Sequence, residues 1–322
     1  MRYVDFGRTG LRVSQFALGT GMLGARRDRS IDPDEARSVL SGYLAAGGNL
    51  IDVSDAYQGG QSEEMIGSLL ADRREDLVIA SKYSRTTSRD ASPARTGNHR
   101  KAMVQSVEAS LKRLQTDRID VYFAHYDDGV TPIEEIMRGF DDLVSAGKIL
   151  YAGLSNFSAW RSAQAATTAL LHGWTPLAVL EVEYSLLQRT TEREILPFAQ
   201  ALGLGVLAYS PLAAGVLTSR NSINNPGTPS RMGIPTEGNT AEVLDILNRI
   251  ALELGAEPVH VALAWISAKG VIPILGIRDS THMASNLRAA STVLVAEHLK
   301  RLDDASAIPL GYPRALQEAF KR

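Results

Sequence analysis

The sequence predicts a (β/α)8 barrel, an α/β fold with a short N-terminal β-hairpin and long βα loops. Three observations carry that expectation. Eight short apolar runs recur along the chain, amphipathic stretches with a period near 3.6 lie between them, and no linker divides the 322 residues into halves. Length alone points elsewhere, since about 150 residues per domain would suggest two domains. Parallel barrels of about 250 residues or more routinely form one domain, however. Residues 1–322 are therefore expected to be a single barrel domain.

The hairpin comes first. Residues 3–14, YVDFGRTGLRVS, read as two short strands about Gly7-Arg8-Thr9-Gly10, with glycines where a tight turn favours positive φ. Such a unit serves as a small lid or plug. The barrel strands follow as QFALGT (15–20), NLIDVS (49–54), LVIASK (77–82) and IDVYFAH (119–125). ILYAGLS (149–155), LAVLEVEYS (177–185), GVLAYS (205–210) and VIPILG (271–276) complete the set. Each run suits a strand buried in a parallel sheet. Helices are expected from Asp34 to Leu44, Met103 to Leu114, Ile133 to Val144 and Glu192 to Leu202. Pro33 and Pro132 stand near helix starts, and Gly47, Gly147 and Gly203 follow helix ends, the asymmetry that helix termini favour. Segments 84–100 and 212–240 are rich in turn formers and too long for ordinary connectors. A barrel sets its βα loops over the active face, so these two are expected to be a substrate-side loop and a cofactor clasp.

Composition narrows the function. With 34 basic and 36 acidic residues, the net charge of −2 provides no basic footprint for nucleic acid and no polybasic membrane anchor. The chain has no cysteine, which removes disulfides, thiolate nucleophiles and cysteine-ligated metals, and no metal site is expected. Met1 to Asp5 already carries charge, and no apolar run resembles a signal peptide or a bilayer span of about 18 residues. A cytoplasmic protein working on a small molecule is the expectation.

One motif competes with the barrel. GTGMLG (19–24) spells G-x-G-x-x-G after a strand, with Asp52 at the end of the next, as in a dinucleotide-binding fold. Its context is poor. Ala25-Arg26-Arg27-Asp28-Arg29 continues as a charged loop where a helix should open, and Asp52 comes later than the usual spacing of about 20 residues.

Four polar residues fall at or just past the C-terminal ends of successive strands: Asp52, Tyr57, Lys82 and His125. Singly each has a bland reading, as a solvated lysine, a packed tyrosine or a structural histidine. A barrel would gather them on its active face, where strand-end residues read as catalytic. Their chemistry is coherent. Reduction of a carbonyl by hydride leaves an oxyanion that needs a proton, and a phenol of pKa about 10 is a poor donor unless its phenolate is stabilised. Lys82 is expected to lower the tyrosine pKa, Asp52 to keep the lysine charged, and His125 to orient the carbonyl oxygen.

With these residues in view, the sequence resembles the aldo-keto reductases over essentially its whole length, from GRTGLRVS (7–14) to the last strand's loop. IDVSDAY (51–57) with GQSEEMIG (60–67) is similar to that family's Asp and Tyr signature, ASK (80–82) to its lysine strand and DVYFAH (120–125) to its histidine strand. The resemblance implies an NADP(H)-dependent oxidoreductase with a catalytic tetrad of Asp52, Tyr57, Lys82 and His125, Tyr57 being the general acid or base. It implies cofactor contacts from Thr20, Gly21 and Met22. Ser155 and Asn156 in GLSNF (153–157) would hold the nicotinamide carboxamide and Tyr209 would stack on the ring. Ser210, Pro211, Leu212 and Gly215 would wrap the pyrophosphate. GIRDSTHMASN (276–286) would bind the adenosine phosphate through Gly276, Ile277, Arg278, His282 and Asn286, with Arg278 on a 2′-phosphate, which favours NADPH over NADH. His282 and Ser285 depart from the residues common there.

Glu181 is another departure, standing where the family commonly has a glutamine on the carboxamide. An ionised glutamate only accepts hydrogen bonds. It is expected to favour the oxidised, cationic cofactor and so alcohol oxidation, unless it is protonated or faces outward. Two other functions compete: a nicotinamide-binding regulatory subunit resembling the β-subunits of potassium channels, and a barrel aldolase or hydrolase forming a Schiff base at Lys82. The loop at 84–100 and the stretch SAIPLGYPRALQEAF (306–320) are the expected specificity elements for a small carbonyl or alcohol substrate. His99 and Arg100 could meet an anionic substrate group, but as solvated loop residues they are better accounted for.

Overall fold

The computed structural model describes residues 1–25, 30–85, 91–218 and 240–320. Strands β1 (Tyr3–Asp5) and β2 (Arg12–Ser14) form the antiparallel hairpin, pairing Tyr3 with Ser14 and Asp5 with Arg12. Eight further strands follow: β3 (Ala17–Gly19), β4 (Leu50–Asp52), β5 (Val78–Tyr83), β6 (Ile119–Ala124), β7 (Ile149–Ser155), β8 (Leu177–Glu183), β9 (Gly205–Tyr209) and β10 (Ile272–Leu275). They close in the order β10-β3-β4-β5-β6-β7-β8-β9, every neighbour parallel. This is the expected (β/α)8 barrel.

Helices α1 (Pro33–Ala45), α2 (Gln61–Leu70), α3 (Arg100–Leu114), α4 (Ile133–Ser145), α5 (Ala159–His172) and α6 (Ile195–Leu202) lie between successive strands. Beyond β9 come α7 (Thr240–Glu253) and α8 (Pro258–Ala268), and after β10 come α9 (Ser280–Leu287), α10 (Ala296–Ala305) and α11 (Arg314–Ala319). Their amphipathic spacing explains the packing: α4 buries Ile133, Ile136, Met137, Phe140 and Leu143 on one stripe. No single helix among the described residues is long and apolar enough to cross a membrane.

Two local expectations need correction. The helix expected from Glu192 begins only at Ile195, after a 3-10 turn over Thr190–Glu192. Pro197 explains this, since a proline without an N–H fits only the first turn. The β9–β10 connection carries two helices, α8 burying Trp265 completely. In the hairpin turn Gly7 has φ +61°, but Gly10 needs no left-handed backbone.

The hairpin is a plug, not a lid. The Arg8 N–H donates to Gly203 O at 2.7 Å, and a Cβ on Gly7 would lie 2.4 Å from Gly205 N, at the start of β9. Phe6 joins the barrel-interior cluster of Val13, Leu50, Val121, Phe123 and Leu207, so the hairpin seals the N-terminal end of the barrel. Chemistry is left to the other end. Far from the plug, Arg189 donates from Nε and Nη2 to Glu192 and from Nη1 to Asp303 O and Ser306 Oγ, all at 2.8 Å, fastening the end of α10 to the β8 loop.

Candidate active site

Asp52 ends β4, Lys82 lies near the end of β5, and His125 follows β6, so the closed barrel brings them to its C-terminal rim. Tyr57 joins them from the turn after β4. Lys82 is fully buried and donates to Asp52 Oδ1 through a short contact, to Val53 O at 3.1 Å and to the Tyr57 hydroxyl at 3.4 Å. Tyr57 Oη lies 3.5 Å from Asp52 Oδ2, and its ring meets the His125 ring edge-on with centroids 6.0 Å apart. All four predicted residues therefore converge.

The floor under them is shaped by a missing side chain. Phe123 on β6 lies with its ring 5.9 Å from Lys82 Nζ, and a Cβ on Gly153 of β7 would fall 2.5 Å from that ring. Glycine is required for this close approach. A dry aromatic floor raises the electrostatic stakes of every charge above it.

Burial opposes the charge on Lys82, but the carboxyls of Asp52 and Glu181 together outweigh it and hold the ammonium above the ordinary lysine range. Tyr57 departs from expectation. Burial raises its phenol; Lys82 pulls it back, while Asp52 and Glu181 push it up, and it stands above the usual tyrosine value. The expected lowering by lysine is present but outweighed, so Tyr57 is a neutral phenol holding its proton. Burial first, then Lys82 and Arg85, push His125 down to about 2, so its ring is neutral at any working pH. Ser54 Oγ, 3.2 Å from His125 Nδ1, sets the ring's orientation.

Glu181 faces inward and is 2 % exposed, which excludes the outward-facing alternative. Its Oε2 lies 3.3 Å from Lys82 Nζ, making a second carboxyl on the same ammonium. Ser155 pairs with Glu181 in register, and the Asn156 N–H donates to Glu181 O at 3.2 Å. Asn156 Nδ2 donates to His125 O and Ser155 Oγ, both at 2.9 Å, while the Tyr209 hydroxyl donates to Asn156 Oδ1 at 2.8 Å. Ser155, Asn156, Glu181 and Tyr209 thus form one continuous wall beside the tetrad.

The remaining cofactor candidates divide. Thr20 is fully buried, its hydroxyl donating to Asp52 O at 2.8 Å, which makes it scaffold. Gly21 faces the Tyr57 ring, Gln58 Nε2 donates to Gly21 O at 3.1 Å, and Met22 is half-buried. Along the β9 loop, Ser210, Ala213 and Ala214 adopt φ of +51°, +47° and +53°, before Gly215 at +96°. Asn156 is likewise left-handed at +58°. Non-glycine residues held so are strained, and such strain clusters at binding loops. Pro211 and Leu212 lie between them, Pro211 buried.

In the last loop Gly276 is exposed, Ile277 buried, and Arg278 and His282 half-buried. Asn286 is 1 % exposed and its Oδ1 has no hydrogen-bond partner among the described residues, an orphaned acceptor suited to an amino group such as adenine's. The residues thus fit a nicotinamide dinucleotide. Glu35 of α1, which the sequence reading did not single out, accepts a short hydrogen bond from the Ser280 N–H at the start of α9. His99 is spent as the N-cap of α3, its Nδ1 accepting from the Ala102 N–H at 3.2 Å, and Arg100 pairs with Asp142. Residues 86–90 and 219–239 of the two long loops lie outside the described residues. A cavity of about 250 Å³ between Ala159, Thr190, Arg193 and the 310–314 segment is lined by none of the tetrad.

Sequence reasoning also missed Ser54 and the ion pair of buried Glu63 with Arg113, whose side chain packs against Gly60. Ser54 had a signal, since it shares a strand face with Asp52 at period two.

The model of the Aldo/keto reductase family matches residues 15–307. The chain is 33 % identical to norsolorinic acid reductase of Aspergillus flavus over 94 % of its own length and 80 % of that protein. It is 36 % identical to the uncharacterized oxidoreductase YrpG of Bacillus subtilis, covering 97 % of itself and 98 % of the relative. With aryl-alcohol dehydrogenase [NADP(+)] of Phanerodontia chrysosporium it shares 33 % identity over 95 % and 86 % of the two chains.

Proposed function

Because the chain belongs to the aldo/keto reductase family, an oxidoreductase family acting on carbonyls and alcohols, we propose that it is an NADP(H)-dependent alcohol dehydrogenase or carbonyl reductase whose proton passes through Tyr57. The observation that carries this reading is the buried cluster of Tyr57, Lys82 and Asp52 beside a neutral His125. When bound, the nicotinamide supplies or accepts the hydride. The protein handles the proton. An imidazole pushed down to about 2 has none to give at neutral pH, so the Tyr57 hydroxyl is the donor to a carbonyl oxygen and the acceptor from an alcohol. Lys82 steadies the phenolate that results, Asp52 anchors Lys82, and His125 orients the substrate oxygen.

The same carboxyls argue against a Schiff base at Lys82, because an amine held protonated is no nucleophile. A purely regulatory nicotinamide-binding subunit would need no such proton path. Ser155, Asn156 and Tyr209 would hold the nicotinamide, the strained 210–215 loop the pyrophosphate, and Arg278 with Asn286 the adenosine end. The test is titration with NADPH and NADH followed by protein fluorescence, then a panel of aldehydes, ketones, sugars and aryl alcohols followed by nicotinamide absorbance. Binding with turnover supports the reading. Binding without turnover favours the regulatory alternative, and no binding overturns the cofactor assignment.

Glu35 bears on the choice of cofactor. Its carboxylate sits on the Ser280 N–H at the start of α9, beside Arg278, and a helix N-terminus that holds a carboxylate also suits a phosphate. Glu35→Gln is expected to tighten NADPH binding by roughly two- to five-fold, the scale of one charge near a helix end, with NADH unchanged. Equal shifts for both nucleotides would remove Glu35 from the 2′-phosphate site.

A further inference from the structure

Two buried carboxyls meet one ammonium in this pocket. The three N–H bonds of Lys82 reach Asp52 Oδ1, Val53 O and the Tyr57 hydroxyl, so Glu181 Oε2, at 3.3 Å, is a neighbour without a hydrogen bond among the described residues. Glu181 also lies within hydrogen-bonding reach of Asp52. Were both carboxyls ionised, the cluster would carry a net negative charge with Glu181 2 % exposed and one oxygen unsatisfied. Like charges confined together do not both ionise, and one proton between the two removes the conflict.

We infer that Glu181 and Asp52 share a single proton beside Lys82, and that Glu181 releases it to solvent when the oxidised, cationic nicotinamide binds. This rests on the nicotinamide site proposed above. β8, which carries Glu181, runs between β7, ending in Ser155, and β9, ending in Tyr209, so the carboxyl belongs to the wall assigned to the ring. The ionisable groups around it are Asp52 on β4, Lys82 on β5, Tyr57 after β4 and Tyr209 on β9. Burial, then Asp52, push the Glu181 carboxyl up to about 8, with Lys82 opposing, so its proton is held near neutral pH. An arriving positive charge favours the ionised form. The carboxyl O–H bond breaks heterolytically, its electron pair stays on the carboxylate, and nothing is oxidised or reduced in that step. The neutral, reduced ring exerts no such pull. Glu181 is thus a positioning residue that links the proton count of the catalytic lysine to the redox state of the cofactor.

The linkage has a definite sign. Since oxidised nucleotide prefers the deprotonated site, its dissociation constant relative to that of NADPH should fall by about tenfold per pH unit as pH rises toward about 8, then level off. Taking the ratio cancels titration of the 2′-phosphate common to both nucleotides. The experiment measures both constants by protein fluorescence from about pH 6 to about pH 9, a span that brackets the carboxyl's titration. In Glu181→Gln, which keeps the shape and cannot titrate, the ratio is expected to be flat within about twofold, less than the effect of a third of a pKa shift of one unit. Weakly buffered wild-type protein mixed with each nucleotide near neutral pH provides a readout that needs no variant: close to one proton per site more is released with NADP⁺ than with NADPH, the difference cancelling the 2′-phosphate. Binding of both nucleotides with a pH-independent ratio in the wild type overturns the inference while leaving the functional reading intact. An unchanged slope in Glu181→Gln does the same. If neither nucleotide binds, the functional reading falls and this inference with it.

Discussion

Tyr57→Phe should lower kcat by about 10²–10⁴-fold in either direction of the reaction, the usual worth of a positioned general acid or base. The reason is that the pocket offers no substitute donor. His125 is neutral, and Lys82, although the variant frees the N–H that met the hydroxyl, is held protonated by Asp52 and Glu181 and gives up its proton poorly. The phenyl ring would remain against Gly21 and edge-on to His125, so nucleotide affinity should stay within about twofold, an energy small beside that of a lost transition-state contact. Single-turnover absorbance, with nucleotide binding measured on the same sample, separates the two quantities. A Phe variant that turns over at the wild-type rate would show that the proton comes from elsewhere, and the assignment of Tyr57 would have to be withdrawn.

The largest effect on stability is expected at Arg113→Ala. Glu63 on α2 is fully buried and accepts from Arg113 Nε at 2.7 Å and from Ser81 Oγ at 2.6 Å. Removing the guanidinium strands a buried carboxylate, which typically costs about 3–5 kcal/mol. Arg113 keeps some solvent contact, its side chain being 23 % exposed, so the low end of that range applies. In thermal unfolding of a chain of this size this corresponds to a Tm loss of roughly 4–5 °C. Arg113→Met with Glu63→Met should recover much of the loss, because no uncompensated charge is left behind. A single Ala variant as stable as wild type would show that water reaches Glu63. The pair also bears on chemistry, since a Cβ on Gly60 would lie 2.9 Å from the Arg113 side chain, three residues past Tyr57. Loosening Arg113 loosens the turn that presents the phenol.

The barrel was legible because strands buried on both faces leave near-continuous apolar runs, and eight of them separated by helical stretches have few other arrangements. That Asp52, Lys82 and His125 would meet was legible for a related reason: strand ends are where such runs stop, and each of the three stands at a stop. What remained hidden lay across the barrel rather than along the chain. Period two places Glu181 on an inward face but does not say that Lys82, three strands away, is its neighbour. Arg113 and Glu63 are 50 residues apart, and only the helical spacing of Glu63 with Ile66, Gly67 and Leu70 marks it as inward-facing. The balance of charge on Tyr57 was misjudged because burial and a second carboxyl enter only once the pocket has closed. Pro197 was a readable signal, since it puts the helix start within the turn before it and so past Glu192, as the start at Ile195 shows.

The clasp made by Arg189 divides the end of the chain into two regimes. Up to Ser306 the chain is tied through Asp303 O and Ser306 Oγ to a guanidinium that lies 5.3 Å over the Trp265 ring, so substitutions there pull on the core. Past it, α11 buries no residue, and Arg193 holds the segment by the backbone oxygen of Pro309, a bond indifferent to side-chain identity. The last stretch is therefore an exchangeable part, seated by its main chain and free to be rewritten in sequence at little risk to the barrel.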